Sequence, residues 1–255
     1  MPYTIDNLTV SPCSNPDMSL EDALAAYAAI GYRAFEAFTG WAKSALDIER
    51  DPAEIRALAL RHRMRFASMH LPPIEDDVEA SADRAVRATA FAKALGVGVV
   101  IYKATSRPNY INGSARYLAG IEGLGVTPVL QNHAGSPIST LADYRDVIEG
   151  IGDPRMKTLL EVGHFHTMGV SWREGCDFLG DSIALVHVKD QIGPQSVPFG
   201  TGEIDLAALF AHMGAAGYAG DFVIEMEVKD TENTLRHLAD ALAFLKRNCL
   251  EPRHE

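Results

Sequence analysis

Seven polar side chains fall at or near the ends of apolar runs, where a buried strand would hand its last residue to a pocket. They are Glu36, His70, Lys103, Gln131, Glu161, His187 and Glu225. Carboxylates and imidazoles move protons near neutral pH and hold cations, and lysine supplies a fixed positive charge. One such residue carries little weight, because a lone histidine at a strand end is most often a satisfied structural group. Seven are harder to bury without partners or a ligand. Gln131, Glu161, His187 and Glu225 stand on four successive runs. Two carboxylates, an imidazole and an amide oxygen make either a shell for a divalent cation or a hydrogen-bonded plug. Oxygen-rich ligation with one nitrogen favours Mn²⁺ or Mg²⁺, with Co²⁺, Fe²⁺ and Zn²⁺ also admissible.

The elements that must position these groups alternate strictly. Strands are expected at 3–11, 32–38, 64–70, 97–103, 127–131, 156–161, 182–188 and 221–227. Most are continuous apolar runs, as a parallel sheet buried on both faces requires. Helices are expected at 19–31, 52–63, 81–96, about 111–123, 140–152, 171–180, 205–217 and 231–248. Ser19 with Asp22, and Ser171 with Glu174, have the spacing of helix N-terminal caps. Eight β/α repeats within 255 residues describe an α/β protein, a single (β/α)₈ TIM barrel spanning 1–255 as one domain. A doubly wound open sheet is the runner-up, disfavoured because no Gly-x-Gly-x-x-Gly follows the first strand. In a barrel the polar strand ends converge on the C-terminal mouth.

Composition excludes several functions. The formal net charge of −11 repels phosphate backbones, so no nucleic-acid partner is expected. No apolar run approaches the roughly 20 residues of a membrane span, so no membrane partner is expected. Cys13, Cys176 and Cys249 are scattered and form no Cys-x-x-Cys pair, which fits a reducing compartment. The N-terminal residues do not read as a signal peptide, and a cytoplasmic location is expected. Trp41 and Phe199 are expected at the surface, at a homo-oligomer contact or over a substrate.

Four segments carry a resemblance to a known superfamily. "LQNHAG" (130–135) is similar to a Glu-Asn-His-Gly run, "LLEVGHFHTMG" (159–169) to an Asp-x-Gly-His segment, and "LVHVKD" (185–190) to His-x-Lys-Asp. "GTGEIDLAALFAHMGAAGYAGDFVIEME" (200–227) is the most specific. Together they resemble the xylose-isomerase-like barrels, which include sugar-phosphate isomerases/epimerases, ketose 3-epimerases, hydroxypyruvate isomerases and inosose dehydratases. The resemblance implies metal ligands at Gln131, Glu161, His187 and Glu225, with Gln131 replacing the usual Glu and Glu161 the usual Asp. It implies a small carbohydrate-like substrate and proton abstraction next to a carbonyl, with a metal-stabilised enediolate.

Under that resemblance Glu225 is the expected general base, and Lys103, His133 and Lys189 are candidate acids or substrate-oxygen ligands. Lys189 is expected to meet substrate oxygen or, alternatively, to pair with Asp190 at the surface. His70 and His164 are expected to hold substrate hydroxyls and Glu36 a distal one. A neutral amide cannot carry a proton at pH 7, so Gln131 disfavours a two-carboxylate epimerisation and favours one-base chemistry such as a dehydratase or other lyase step. The alternative is a catalytically silent barrel that binds sugar or serves as a structural subunit. GTG (200–202) is a weak candidate phosphate loop. HFH (164–166), read as part of a strand, is not expected to bind zinc.

Overall fold

The computed structural model describes residues 2–250. Eight parallel strands close into a ring: β1 (Leu8–Val10), β2 (Ala34–Phe38), β3 (Arg65–His70), β4 (Val99–Ile101), β5 (Thr127–Gln131), β6 (Lys157–Glu161), β7 (Ile183–Val188) and β10 (Phe222–Ile224). β1 pairs with both β2 and β10. That closure removes the open edges a doubly wound sheet would keep, and with them the runner-up topology. Helices α1 (Leu20–Ile30), α2 (Pro52–Arg61), α3 (Val78–Leu95), α4 (Arg107–Gly120), α5 (Leu141–Ile151), α6 (Val162–Thr167), α7 (Trp172–Leu179), α8 (Leu206–Ala215) and α9 (Thr234–Asn248) follow the strands. No helix among the described residues is long and apolar enough to cross a membrane.

The caps behave as their spacing predicts. Ser19 accepts from the Asp22 amide, and Ser171 and Glu174 form a reciprocal capping box. Gly31 ends α1 at φ +116°, in the left-handed region that side chains avoid. Three expectations need correction. The fourth helix starts at Arg107, four residues early, because Ser106 caps it and Pro108 lies in the first turn, where an amide is not needed. Residues 162–167 form α6, so HFH lies on a helix rather than a strand. His164 there meets Lys189, and His166 turns away to Glu203. A hairpin, β8 (Asp190–Ile192) with β9 (Gln195–Val197), follows β7 and was not foreseen.

The barrel interior explains where chemistry can sit. Ile101, Val129, Leu159, Leu185 and Val223 form their own buried cluster, an apolar plug inside the ring. Side chains on a strand repeat every two residues. Two positions beyond the plug stand Lys103, Gln131, Glu161, His187 and Glu225. One period therefore carries five strands from a dry floor to a polar rim.

Asp190 fixes the loop that closes one side of that rim. It is 1% exposed, and its carboxylate accepts the amides of Gln191 (3.0 Å), Gly200 (2.8 Å), Gly202 (2.9 Å) and Ile204 (3.3 Å). A Cβ on Gly202 would collide with that carboxylate, so the approach requires glycine. This corrects two expectations. Asp190 is no surface partner for Lys189, and the amides of the GTG loop are spent on an internal carboxylate, not open to a phosphate. Phe199 is also buried in the core, at 7% exposed, whereas Trp41 is 69% exposed. Asp190→Ala should leave four amides unpaired and cost about 3 kcal/mol or more in urea unfolding. A loss under 1 kcal/mol would remove this account of the loop.

Candidate active site and metal centre

A cavity of about 410 Å³ opens at the C-terminal mouth. Lys103, Gln131, His133, His164, Lys189 and Glu225 line it, together with His70, Phe38, Trp41 and Glu227. Glu161 and His187 are fully buried beneath its floor.

Glu36 anchors the floor. Its carboxylate is wholly buried and accepts hydrogen bonds from Ser11 (3.2 Å), Ser68 (2.7 Å) and His187 Nε2 (3.0 Å). His70 Nε2 lies 3.1 Å from its other oxygen. Burial would raise its pKa, but His187 and His70 outweigh that and hold it well below the carboxylate range. Glu36 was expected to take a distal substrate hydroxyl. Its oxygens are instead saturated by protein groups, and it does not line the cavity.

Glu36 also decides which way His187 faces. With Nε2 donating to Glu36, Nδ1 points to the opposite side, toward Glu161 Oε2 at 3.0 Å and Glu225 Oε1 at 3.2 Å. These distances are short, yet neither His187 Nδ1 nor Glu161 Oε2 has a well-directed hydrogen bond. Buried polar atoms left without partners are costly, and two carboxylates gathered around one imidazole nitrogen, backed by a carboxylate–histidine pair, are a donor set that suits a divalent cation. The residues fit the group. Burial would lower the His187 pKa, but Glu36 and Glu225 raise it well above the usual value. A metal ion would compete with that proton for the same place.

Gln131 is 8% exposed, at the cavity wall, and its amide makes no side-chain hydrogen bond among the described residues. Its neighbour Asn132 locks β5 to β6 instead. Asn132 donates to the Glu161 carbonyl (2.9 Å) and accepts the Glu161 amide (3.0 Å). The Glu161 carboxylate is held by the Gly163 amide at 3.3 Å, which opens α6. Burial and the nearby Glu225 charge push the Glu161 carboxyl up.

Above the floor, Lys189 is 2% exposed. Its ammonium lies 2.9 Å from Glu225 Oε2, contacts Glu227, and approaches His164 Nε2 at 3.4 Å. Burial opposes its charge, but Glu225, Glu161 and Glu227 keep it firmly protonated. The Glu225 carboxyl, despite burial, is pulled well below its usual range by Lys189 and His187. The rings of His133 and His164 lie 3.8 Å apart. Burial lowers both, with Lys189 adding to the effect, so both are held neutral. His70 is lowered to about 4 by burial and stacks on Phe38 at 4.1 Å, 9° from parallel.

The sequence reading missed Ser11, Ser68 and Glu227. Ser68 could have been found, since it stands two residues from His70 on the same strand face, and Glu227 lies just two residues past Glu225. Ser11 had no such signal: its partner is 25 residues away.

Residues 24–248 match the xylose isomerase-like TIM barrel family, and the chain belongs to it. A 66-residue stretch is 38% identical to L-ribulose-5-phosphate 3-epimerase UlaE of Salmonella paratyphi C, covering 25% of this chain and only 23% of that protein. Solved structures agree in fold. A xylose isomerase domain protein from Alicyclobacillus acidocaldarius superposes with TM-score 0.74 at 20% identity, covering 94% of this chain and 97% of that one. The IOLI protein, solved with a bound zinc atom, gives 0.76 at 15% identity, covering 95% and 98%. An L-ribulose 3-epimerase gives 0.71 at 19% identity, covering 97% and 99%.

Glu36→Ala should destabilise the fold by about 3–5 kcal/mol, because it strands two imidazoles and two hydroxyls around an empty buried site. Urea unfolding monitored by circular dichroism measures this. A loss below 1 kcal/mol would show that Glu36 does not hold the floor together.

Proposed function

We propose that the chain is a metal-dependent enzyme acting on a sugar, keto-sugar or similar polyhydroxy carbonyl compound by removing a proton next to the carbonyl. The observation that carries the reading is the gathering of Glu161, His187 and Glu225, with His187 Nδ1 3.0 Å from Glu161 Oε2 and 3.2 Å from Glu225 Oε1. Kinship to the zinc-bound IOLI protein and to L-ribulose epimerases supports it. Glu161, His187 and Glu225 would hold the ion, with Gln131 offering its amide oxygen at the wall. A divalent ion bound there supplies the positive charge that polarises a carbonyl and acidifies the adjacent C–H. Mn²⁺ or Mg²⁺ suits the oxygen-rich donors best.

Glu225 is the base. It is ionised, lines the cavity, and its pairing with Lys189 fixes its direction. Lys189 holds developing oxygen charge without giving up its own proton. The neutral His133 and His164 donate or accept hydrogen bonds to hydroxyls. His70, held flat on Phe38, meets the substrate on the opposite wall. Gln131 cannot return a proton to the second face. Loss of a β-hydroxyl after abstraction, or a shuttle by one group, therefore fits better than a two-carboxylate epimerisation. Three buried free cysteines are compatible with a reducing, cytoplasmic setting.

Purified protein should carry a near-stoichiometric divalent metal, and Mn²⁺ should raise its melting temperature. Glu225→Gln should cut exchange of a substrate C–H in D₂O by 10²–10⁴ while leaving circular dichroism unchanged. Assaying L-ribulose and related keto-sugars for both exchange and loss of water separates epimerisation from elimination. Gln131→Glu should tighten Mn²⁺ binding by adding a charged ligand. Absence of metal, of a thermal shift and of exchange would instead favour a silent sugar-binding barrel.

A further inference from the structure

The cavity holds two ammonium groups with opposite fates. Lys189 is clamped by Glu225 and Glu227. Lys103 lines the same cavity, yet no carboxylate lies within ion-pair distance of it and its ammonium makes no hydrogen bond among the described residues. Its contact is the face of Phe38, 5.9 Å from the ring centre. A cation–π contact at that range contributes roughly 0.5–1 kcal/mol and leaves the charge uncompensated. Burial pushes the Lys103 pKa down, outweighing the opposing pull of the Glu36 charge. A partly buried cation facing a cavity with no counterion is costly in the free protein, and a ligand that brings an anion would relieve it.

From this geometry we infer that the substrate carries an anionic group, a carboxylate or a phosphate, which the Lys103 ammonium binds against the wall of Phe38 and Trp41. This rests on the functional reading above and adds the chemical class of its substrate. Position supports it. Going round the ring, β4, which leads to Lys103, and β10, which leads to Glu225, stand four strands apart of eight, directly opposite each other. The anion would sit across the mouth from the base, several bonds from the C–H that Glu225 attacks.

The wall beside Lys103 is built to receive a ligand. Phe38, Trp41, Pro73 and Lys103 separate the main cavity from a second one of about 510 Å³. Trp41 holds φ at +73°, a strained value for a bulky residue, with its indole over Phe38 at 5.8 Å. The chain's net charge of −11 repels anions in general, so an anion seated here depends on a specific cation.

Calorimetric titration of the Mn²⁺-supplemented protein tests the inference with two matched pairs: D-glucuronate against D-glucose, and L-ribulose 5-phosphate against L-ribulose. At least one charged member should bind tenfold or more tighter than its neutral partner. The pair that discriminates tells carboxylate from phosphate. Lys103→Met should erase the difference, and Lys103→Arg should keep most of it. Equal affinity within both pairs, no binding by either charged member, or a preference that survives Lys103→Met overturns the proposal. Failure of the enzymatic reading shows separately, as charge-selective binding without C–H exchange in D₂O.

Discussion

Three buried carboxylates crowd one end of the barrel. Glu36, Glu161 and Glu225 converge under the mouth of the barrel, and each needs a positive partner there. The rest of the site answers that demand. Ser11, Ser68 and His187 hold Glu36, Lys189 holds Glu225, and His187 Nδ1 stands between Glu161 and Glu225. The carboxylate of Glu36 acts at a distance. By claiming one nitrogen of His187, it turns the other toward the acids, which is how a metal-ligating imidazole is oriented.

The barrel makes this crowding affordable. Its plug of Ile101, Val129, Leu159, Leu185 and Val223 is dry and continuous, and the polar layer stands one strand period above it. The same parallel strands that bury apolar side chains below thus deliver charged ones to a common rim above. Rigidity comes from bonds between neighbours, such as the paired contacts of Asn132 with the Glu161 backbone, and from Asp190, which gathers the 200–204 loop around itself. A site of this kind is positioned by strands and by buried polar clamps, not by mobile loops.

Gln131 changes the balance of the rim. A carboxylate there would add a fourth negative charge beside Glu161 and Glu225 and a second proton carrier on the opposite face of a substrate. The amide supplies neither. What remains at the cavity wall is the carboxylates of Glu225 and Glu227, the Lys189 ammonium clamped by both, and the imidazoles of His133 and His164. Under the proposed function such a wall suits taking a proton once over passing it between two faces.

Much of this was legible in the order of the residues. Eight apolar runs, each followed by an amphipathic stretch, dictated the barrel, because parallel strands buried on both faces admit few other arrangements. Capping pairs at Ser19 and Ser171 marked helix starts, and polar residues at strand ends marked the mouth. Local chemistry was enough for these features, since each depends on neighbours within a few positions. The folded molecule alone decided that Glu36 faces inward to His187, that Asp190 consumes the glycine loop's amides, that Phe199 is buried, and that Lys103 has no carboxylate partner among the described residues while Lys189 has two. Those outcomes depend on contacts between residues far apart in the chain, such as Glu36 with His187 across 151 positions. No local pattern encodes which of several acids a given cation will meet.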